Sequence, residues 1–233
     1  MATVQVHESS SQVTRRGPEE RTVAEVAMAG SLVESAGGIG AIVLAIVALT
    51  GVLPMYLTAI AAIALGVALV FEGLANVARY SQLFTEEGAM ATARTTRVET
   101  GSGVTLELFC GAGGIVLGIL ALLHIAAMIL LPVAAIVFGV GLIFSSGTRA
   151  TLARHLVEGF HGHEFSTLVA REAMQAVMVT EVCIGIGGAV LGILALIGNA
   201  PLILTEVAML AFGCAVVLGG LALSGRMFTV LHH

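Results

Sequence analysis

Apolar residues fall into six runs, at about 35–53, 55–75, 108–126, 128–146, 180–198 and 202–223. Each approaches the roughly 20 residues that an α-helix needs to cross a bilayer at about 1.5 Å per residue. Within them Gly, Ala, Leu and Ile follow one another without strict alternation. That pattern predicts helices, since barrel strands are short and alternate. The breaks between runs alternate between short ones, around Gly51, His124 and Asn199, and two long polar ones.

The runs are also related to one another. Glu34 opens ESAGGIGAIVLAIVAL, Glu107 opens ELFCGAGGIVLGILAL and Glu181 opens EVCIGIGGAVLGILAL. Gly66, Gly139 and Gly213 correspond in the runs that follow, and Pro54, Pro132 and Pro201 mark the returning turns. Pro132 comes later than its counterparts, which predicts a longer turn in the second unit. Repetition at this period signals one supersecondary unit copied in tandem. Because each unit crosses twice, successive units enter the membrane in the same direction. The expected fold is an all-α integral membrane protein whose six transmembrane helices form three tandem parallel-repeat hairpins about a pseudo-threefold axis. The boundaries are a disordered cytoplasmic N-terminus at 1–22 and hairpins at 23–79, 80–154 and 155–233. The second and third hairpins include a preceding cytoplasmic segment. The segments ahead of the glutamates are mildly amphipathic and read either as helices in the interface or as charged loops.

Composition agrees with this. Of 233 residues 58% are hydrophobic and 11% charged, against about a quarter charged in soluble domains; mean hydropathy is +1.03. All ten basic residues are Arg. Arg15, Arg16 and Arg21 precede the first run, Arg79, Arg94 and Arg97 fall in the first long break, Arg149, Arg154 and Arg171 in or beside the second, and Arg226 follows the last run. The short breaks contain none, so the positive-inside rule places both termini in the cytoplasm. No secretory signal is expected ahead of the first run.

Several function classes drop out. With no basic run and no Trp, there is no platform for nucleic acid. Cys110, Cys183 and Cys214 lie inside apolar runs as small packing residues. No phosphate loop, dinucleotide fingerprint or nucleophile–base pair occurs, so neither an enzyme nor a cofactor is expected. A haem would need axial His or Met within helices, and His124 is the one His beside a run.

On a helical wheel the glutamate shares a stripe with small residues. They are Gly38, Ala41, Ala45 and Ala48 after Glu34; Gly111, Gly114, Gly118 and Ala121 after Glu107; and Gly185, Gly188, Gly192 and Ala195 after Glu181. Small residues in a stripe let membrane helices approach closely, so the carboxylates should turn into the bundle. Glu72 lies at a similar depth. Like charges at one level cannot all ionise without compensation. Such a ring could bind a cation, relay a proton or line a pore mouth. The competing expectation is structural: carboxylates at helix starts are favoured by the helix dipole, and Arg79, Arg149 or Arg226 could hold them in salt bridges. A Gly-rich first helix paired with a membrane carboxylate is similar to the hairpins of rotary-ATPase proteolipids in its packing. There the carboxylate lies mid-membrane on the second helix, so the likeness implies no shared function.

His155, His161, His163 and Glu164, in RHLVEGFHGHEF, form the one group with metal-ligand chemistry; a solvated polar loop is the other reading. The expected partners are the lipid bilayer, a cation or proton, and a further copy or membrane-complex partner. The two functions left open are an ion, proton or small-solute permeation module and a structural assembly protein without transport.

Overall fold

The computed structural model describes the backbone over residues 18–86, 93–158 and 164–230, and side chains over 33–75, 106–146 and 175–220. Among these residues the chain is entirely helical between turns: α1 (Pro18–Leu49), α2 (Pro54–Glu86), α3 (Ala93–Leu122), α4 (Ala127–Glu158), α5 (Glu164–Leu196) and α6 (Pro201–Val230). Four helices carry stretches long and apolar enough to cross a membrane, at Pro54–Ala75, Ala127–Ser146, Gln175–Leu196 and Pro201–Gly220. α1 and α3 carry shorter apolar stretches, Val33–Leu49 and Leu106–Leu122.

The helices outrun the apolar runs. α1, α3 and α5 begin about four turns ahead of Glu34, Glu107 and Glu181. The polar segments before the glutamates are therefore continuous with the apolar helices, and α1 starts at Pro18, inside the stretch expected to be disordered. Residues 1–17 lie outside the described ones.

Turns 50–53, 123–126 and 197–200 have one length. The longer second turn expected from Pro132 is not found: α4 begins at Ala127 and Pro132 lies inside it. A proline this close to a helix start forgoes one backbone hydrogen bond without ending the helix. The turn backbones match as well. Gly51, His124 and Gly198 take φ of 85°, 61° and 100°, and Leu53, Ala126 and Ala200 take 42°, 45° and 40°. A left-handed residue just past a helix end lets the last carbonyls find donors: Gly51, His124 and Gly198 donate their N–H groups to the carbonyls of Ala48, Ala121 and Ala195.

Each helix packs on the next, and α6 closes on α1. α2, α4 and α6 also touch one another, whereas α1, α3 and α5 make no mutual contact among the described residues. The even helices therefore form the centre. Their inward positions recur at the 4–3 spacing that keeps one stripe facing a neighbour. Thr58, Ala62, Leu65, Leu69 and Glu72 of α2 are all buried. So are Leu131, Ala135, Phe138, Leu142 and Ser145 of α4, and Thr205, Met209, Phe212 and Val216 of α6. The Phe138 and Phe212 rings meet edge to face with centroids 6.1 Å apart. The centre is thus filled with aliphatic and aromatic side chains.

Odd helices lie in the grooves between even ones, and glycine sets how close they come. A Cβ on Gly111 would lie 2.8 Å from the Gly66 carbonyl oxygen, and one on Gly66 2.7 Å from that of Gly111. Gly139 with Gly185 gives 2.5 and 2.7 Å, and Gly213 with Gly38 gives 2.9 and 3.0 Å. Each pair joins an odd helix to the even helix of another hairpin. Within a hairpin the small residue answers a large one: a Cβ on Gly114 would overlap the Phe138 ring, and one on Gly188 the Phe212 ring. Ala41 and Leu65 occupy the matching positions of the first hairpin, both buried in the same core.

Candidate functional site

Glu34, Glu107 and Glu181 emerge from α1, α3 and α5 about one turn before the glycines that lock those helices in place. The face that must approach its neighbour is therefore the face that carries the carboxylate. All three are buried, with Glu107 at 0% exposure and the other two at 2%. Because each sits about four turns inside its helix, the dipole stabilisation expected at a helix start does not reach it; that effect fades within the first turn.

Antiparallel packing sets the level of each glutamate. Val70 packs against Gly111 and Leu108 against Gly73, so Glu72 of α2 stands level with Glu107 of α3. Ile143 packs against Gly185, one turn beyond Glu181, which brings Glu181 level with Ser145 and Ser146 of α4. On α6 a Cβ at Gly220 would lie 2.6 Å from Ser35 Oγ and 3.6 Å from the Glu34 carboxyl carbon. Glycine there leaves space that the Ser35 hydroxyl fills, with the Glu34 carboxyl in ordinary contact beside it. Four acidic groups thus occupy one stratum about midway along the helices, and Glu72, at 2% exposure, comes from a central helix. Ser145 and Ser146 turn their hydroxyls onto their own helix, donating to the carbonyls of Leu142 at 3.1 Å and Ile143 at 2.7 Å.

The expected packing glycines are placed with equal clarity. Gly38, Gly111 and Gly185 make the reciprocal contacts above. Gly118 and Gly192 would meet the Ala59 and Pro132 carbonyl oxygens at 3.0 and 2.8 Å if they carried a Cβ. Gly114 and Gly188 make room for phenylalanine. Of the cysteines, Cys110 is buried beside Gly141, while Cys183 and Cys214 lie on the outer surface. The side chains of Arg79, Arg149 and Arg226, and those of His155, His161, His163 and Glu164, lie outside the described residues. Among the described residues no His, Cys, Asp or Glu cluster could hold a metal ion.

A fifth buried carboxyl was not among the expected site residues. Glu206 of α6 is 2% exposed, yet it lies near the short turns, far from the other four. Its counterparts are Ala59 and Pro132, so the repeat gave no hint of it. The available signal was simpler: an acidic residue inside an apolar run. Comparisons with protein-family models, with curated proteins and with solved structures find no match to this chain.

Proposed function

We propose that the chain is an integral membrane protein of six spans, three copies of one hairpin around a common axis, which takes up protons or small cations at Glu34, Glu107, Glu181 and Glu72. The threefold reading is supported by the matched turns, by three equivalent glycine pairs and by the contacts among the even helices. Arginine placement supports cytoplasmic termini and puts the glutamate stratum on the cytoplasmic side.

Burial of four carboxylates at one level carries the functional reading. Moving a single carboxylate out of water costs several kcal/mol even after the protein relaxes. Charge at those sites is therefore relieved by protons or small cations held at the individual carboxylates, which gather into no metal-holding group among the described residues. One apolar layer, of Leu65, Phe138 and Phe212, lies between the glutamate level and the turn end. The reading is therefore a closed or carrier-like state and not an open channel: passage requires the even helices to move apart.

The test is proton and sodium flux in liposomes carrying the wild-type protein or the triple variant Glu34→Gln, Glu107→Gln, Glu181→Gln. Flux in the wild type that the triple variant loses supports the proposal; equal flux, or none in either, overturns it. The second reading is an assembly protein with no transport activity, and the reciprocal glycine contacts and filled centre favour it. On that reading the triple variant lowers thermal stability or changes oligomer size in detergent, with no flux to lose.

A further inference from the structure

The hairpins close into a ring, and the three seams between them are not alike. α2 runs on into α3 and α4 into α5 along the chain, whereas α6 and α1 are not consecutive and meet by packing alone. At the glycine pairs an added Cβ would lie 2.5 and 2.7 Å from the opposing carbonyl oxygens at the α4–α5 seam, 2.7 and 2.8 Å at α2–α3, and 2.9 and 3.0 Å at α6–α1. Backbone approach at this level is least close at the closing seam.

Toward the short turns the difference grows. Gly118 of α3 and Gly192 of α5 stand against the Ala59 and Pro132 carbonyl oxygens, where a Cβ would have only 3.0 and 2.8 Å. Their counterpart in α1 is Ala45, which is buried and carries its Cβ. By the same register it stands against the Glu206 carbonyl and Leu210. Ordinary contact begins at 3.4 Å, so Ala45 holds α1 off α6. The α6 side of the seam differs as well. Ala59 packs with Ala121 of α3 and Leu131 of α4, and the repeat sets Glu206 among Ala48 of α1 and Thr58 of α2, both buried. A glutamate therefore occupies the place that alanine fills at the α2–α3 seam, and its extra volume presses on the packing there. Its Oε1 is buried with no hydrogen-bond partner among the described residues. Such an oxygen has given up hydration without compensation, and water entering between α1 and α6 restores it. At the glutamate level the same two helices stay close, since a Cβ on Gly220 would lie 2.6 Å from Ser35 Oγ.

We propose that the α6–α1 seam is a gate. α1 swings away from α6 at the turn end, pivoting where Ser35 meets Gly220, and water then reaches the level of Glu206. Ala45 and Glu206 act as a wedge that confines this opening to one seam, while α2–α3 and α4–α5 stay shut. The inference concerns helix motion and needs no flux, so it stands or falls apart from the transport reading.

Paired nitroxide labels on the full chain in lipid nanodiscs, read by double electron–electron resonance, test it. Ile46 of α1 and Val207 of α6 are exposed on either side of the gate, and Ile119 of α3 and Ile60 of α2 are their exposed counterparts at the α2–α3 seam. Ile39 and Cys214, also exposed, span the α6–α1 seam nearer the pivot. Each labelled position is made cysteine, and native cysteines that carry no label become alanine. The Ile46/Val207 pair should show a longer-distance component that Ile60/Ile119 lacks and that is weaker at Ile39/Cys214. Glu206→Ala, which restores the residue of the Ala59 position, should remove that component, and Ala45→Gly should diminish it. Indistinguishable distributions at the three pairs would overturn the proposal, as would a long component that survives both substitutions.

Discussion

Gly185 and Gly187 are two residues apart on α5, and alanine should act on them in opposite senses. A Cβ on Gly185 would lie 2.7 Å from the Gly139 carbonyl oxygen and 3.0 Å from Ile143, where ordinary contact begins at 3.4 Å. The obstructing oxygen is backbone, so relief requires α4 and α5 to separate by roughly 0.7 Å along that contact. A gap of about 0.5–1 Å forfeits a quarter to a half of the dispersion attraction of each atom pair it opens. Overpacking of this kind costs about 1–3 kcal/mol, against a gain of about 0.5–1 kcal/mol for replacing a helical glycine by alanine. Gly185→Ala should therefore lose about 1–2 kcal/mol net. Gly187 has nothing within 4 Å of a Cβ, so Gly187→Ala should keep the full helical gain of about 0.5–1 kcal/mol. The assay is reversible unfolding in detergent micelles followed by circular dichroism, with both variants in the same micelle. Adding Gly139→Ala to Gly185→Ala should cost less than the sum of the two, because one separation relieves both clashes. If Gly185→Ala and Gly187→Ala unfold together, close backbone contact is not what holds these helices in register.

Other expectations follow from single contacts. Gly114→Ala should lose about 1–3 kcal/mol against the Phe138 ring, and adding Phe138→Leu should restore most of it by recreating the Ala41 and Leu65 combination; a double-mutant cycle in the same micelle reads the coupling. Gly198→Ala should cost about 1 kcal/mol although nothing crowds the position, because φ is +100° there; Gly198→Asn, which tolerates left-handed backbone better, should cost less in the same melt. Maleimide in detergent should modify Cys183 and Cys214 well before Cys110, which is buried beside Gly141. Equal rates by intact-mass analysis would contradict the placement of α3.

The glutamates show where local pattern stopped being informative. Wheel geometry put Glu34, Glu107 and Glu181 on the small-residue stripe, and the packing of Gly38, Gly111 and Gly185 explains why that stripe is buried. It could not say where the helices begin, because polar segments ahead of an apolar run suit a loop, an interfacial helix or a continuous helix equally well. Continuous helices remove the dipole account of the carboxylates. Pro132 misled in a similar way: proline near a turn marks a helix start only on average, and backbone dihedrals at His124 and Ala126 set the boundary instead. Glu206 escaped notice because it has no repeat partner, and an isolated residue acquires meaning only from its neighbours.

The order of residues by itself determined six apolar helical runs, their thrice-repeated stripe of Glu and small residues, and the arginine asymmetry of the loops. Those properties depend on spacing along one helix or on charge counted loop by loop, and each is readable without knowing what any helix touches. Tertiary structure alone decided that the even helices fill the centre and that each odd helix meets an even helix of another hairpin through paired glycines. These are contacts between segments far apart in the chain, selected by backbone proximity and side-chain volume in three dimensions, and a one-dimensional pattern fits several such arrangements equally well.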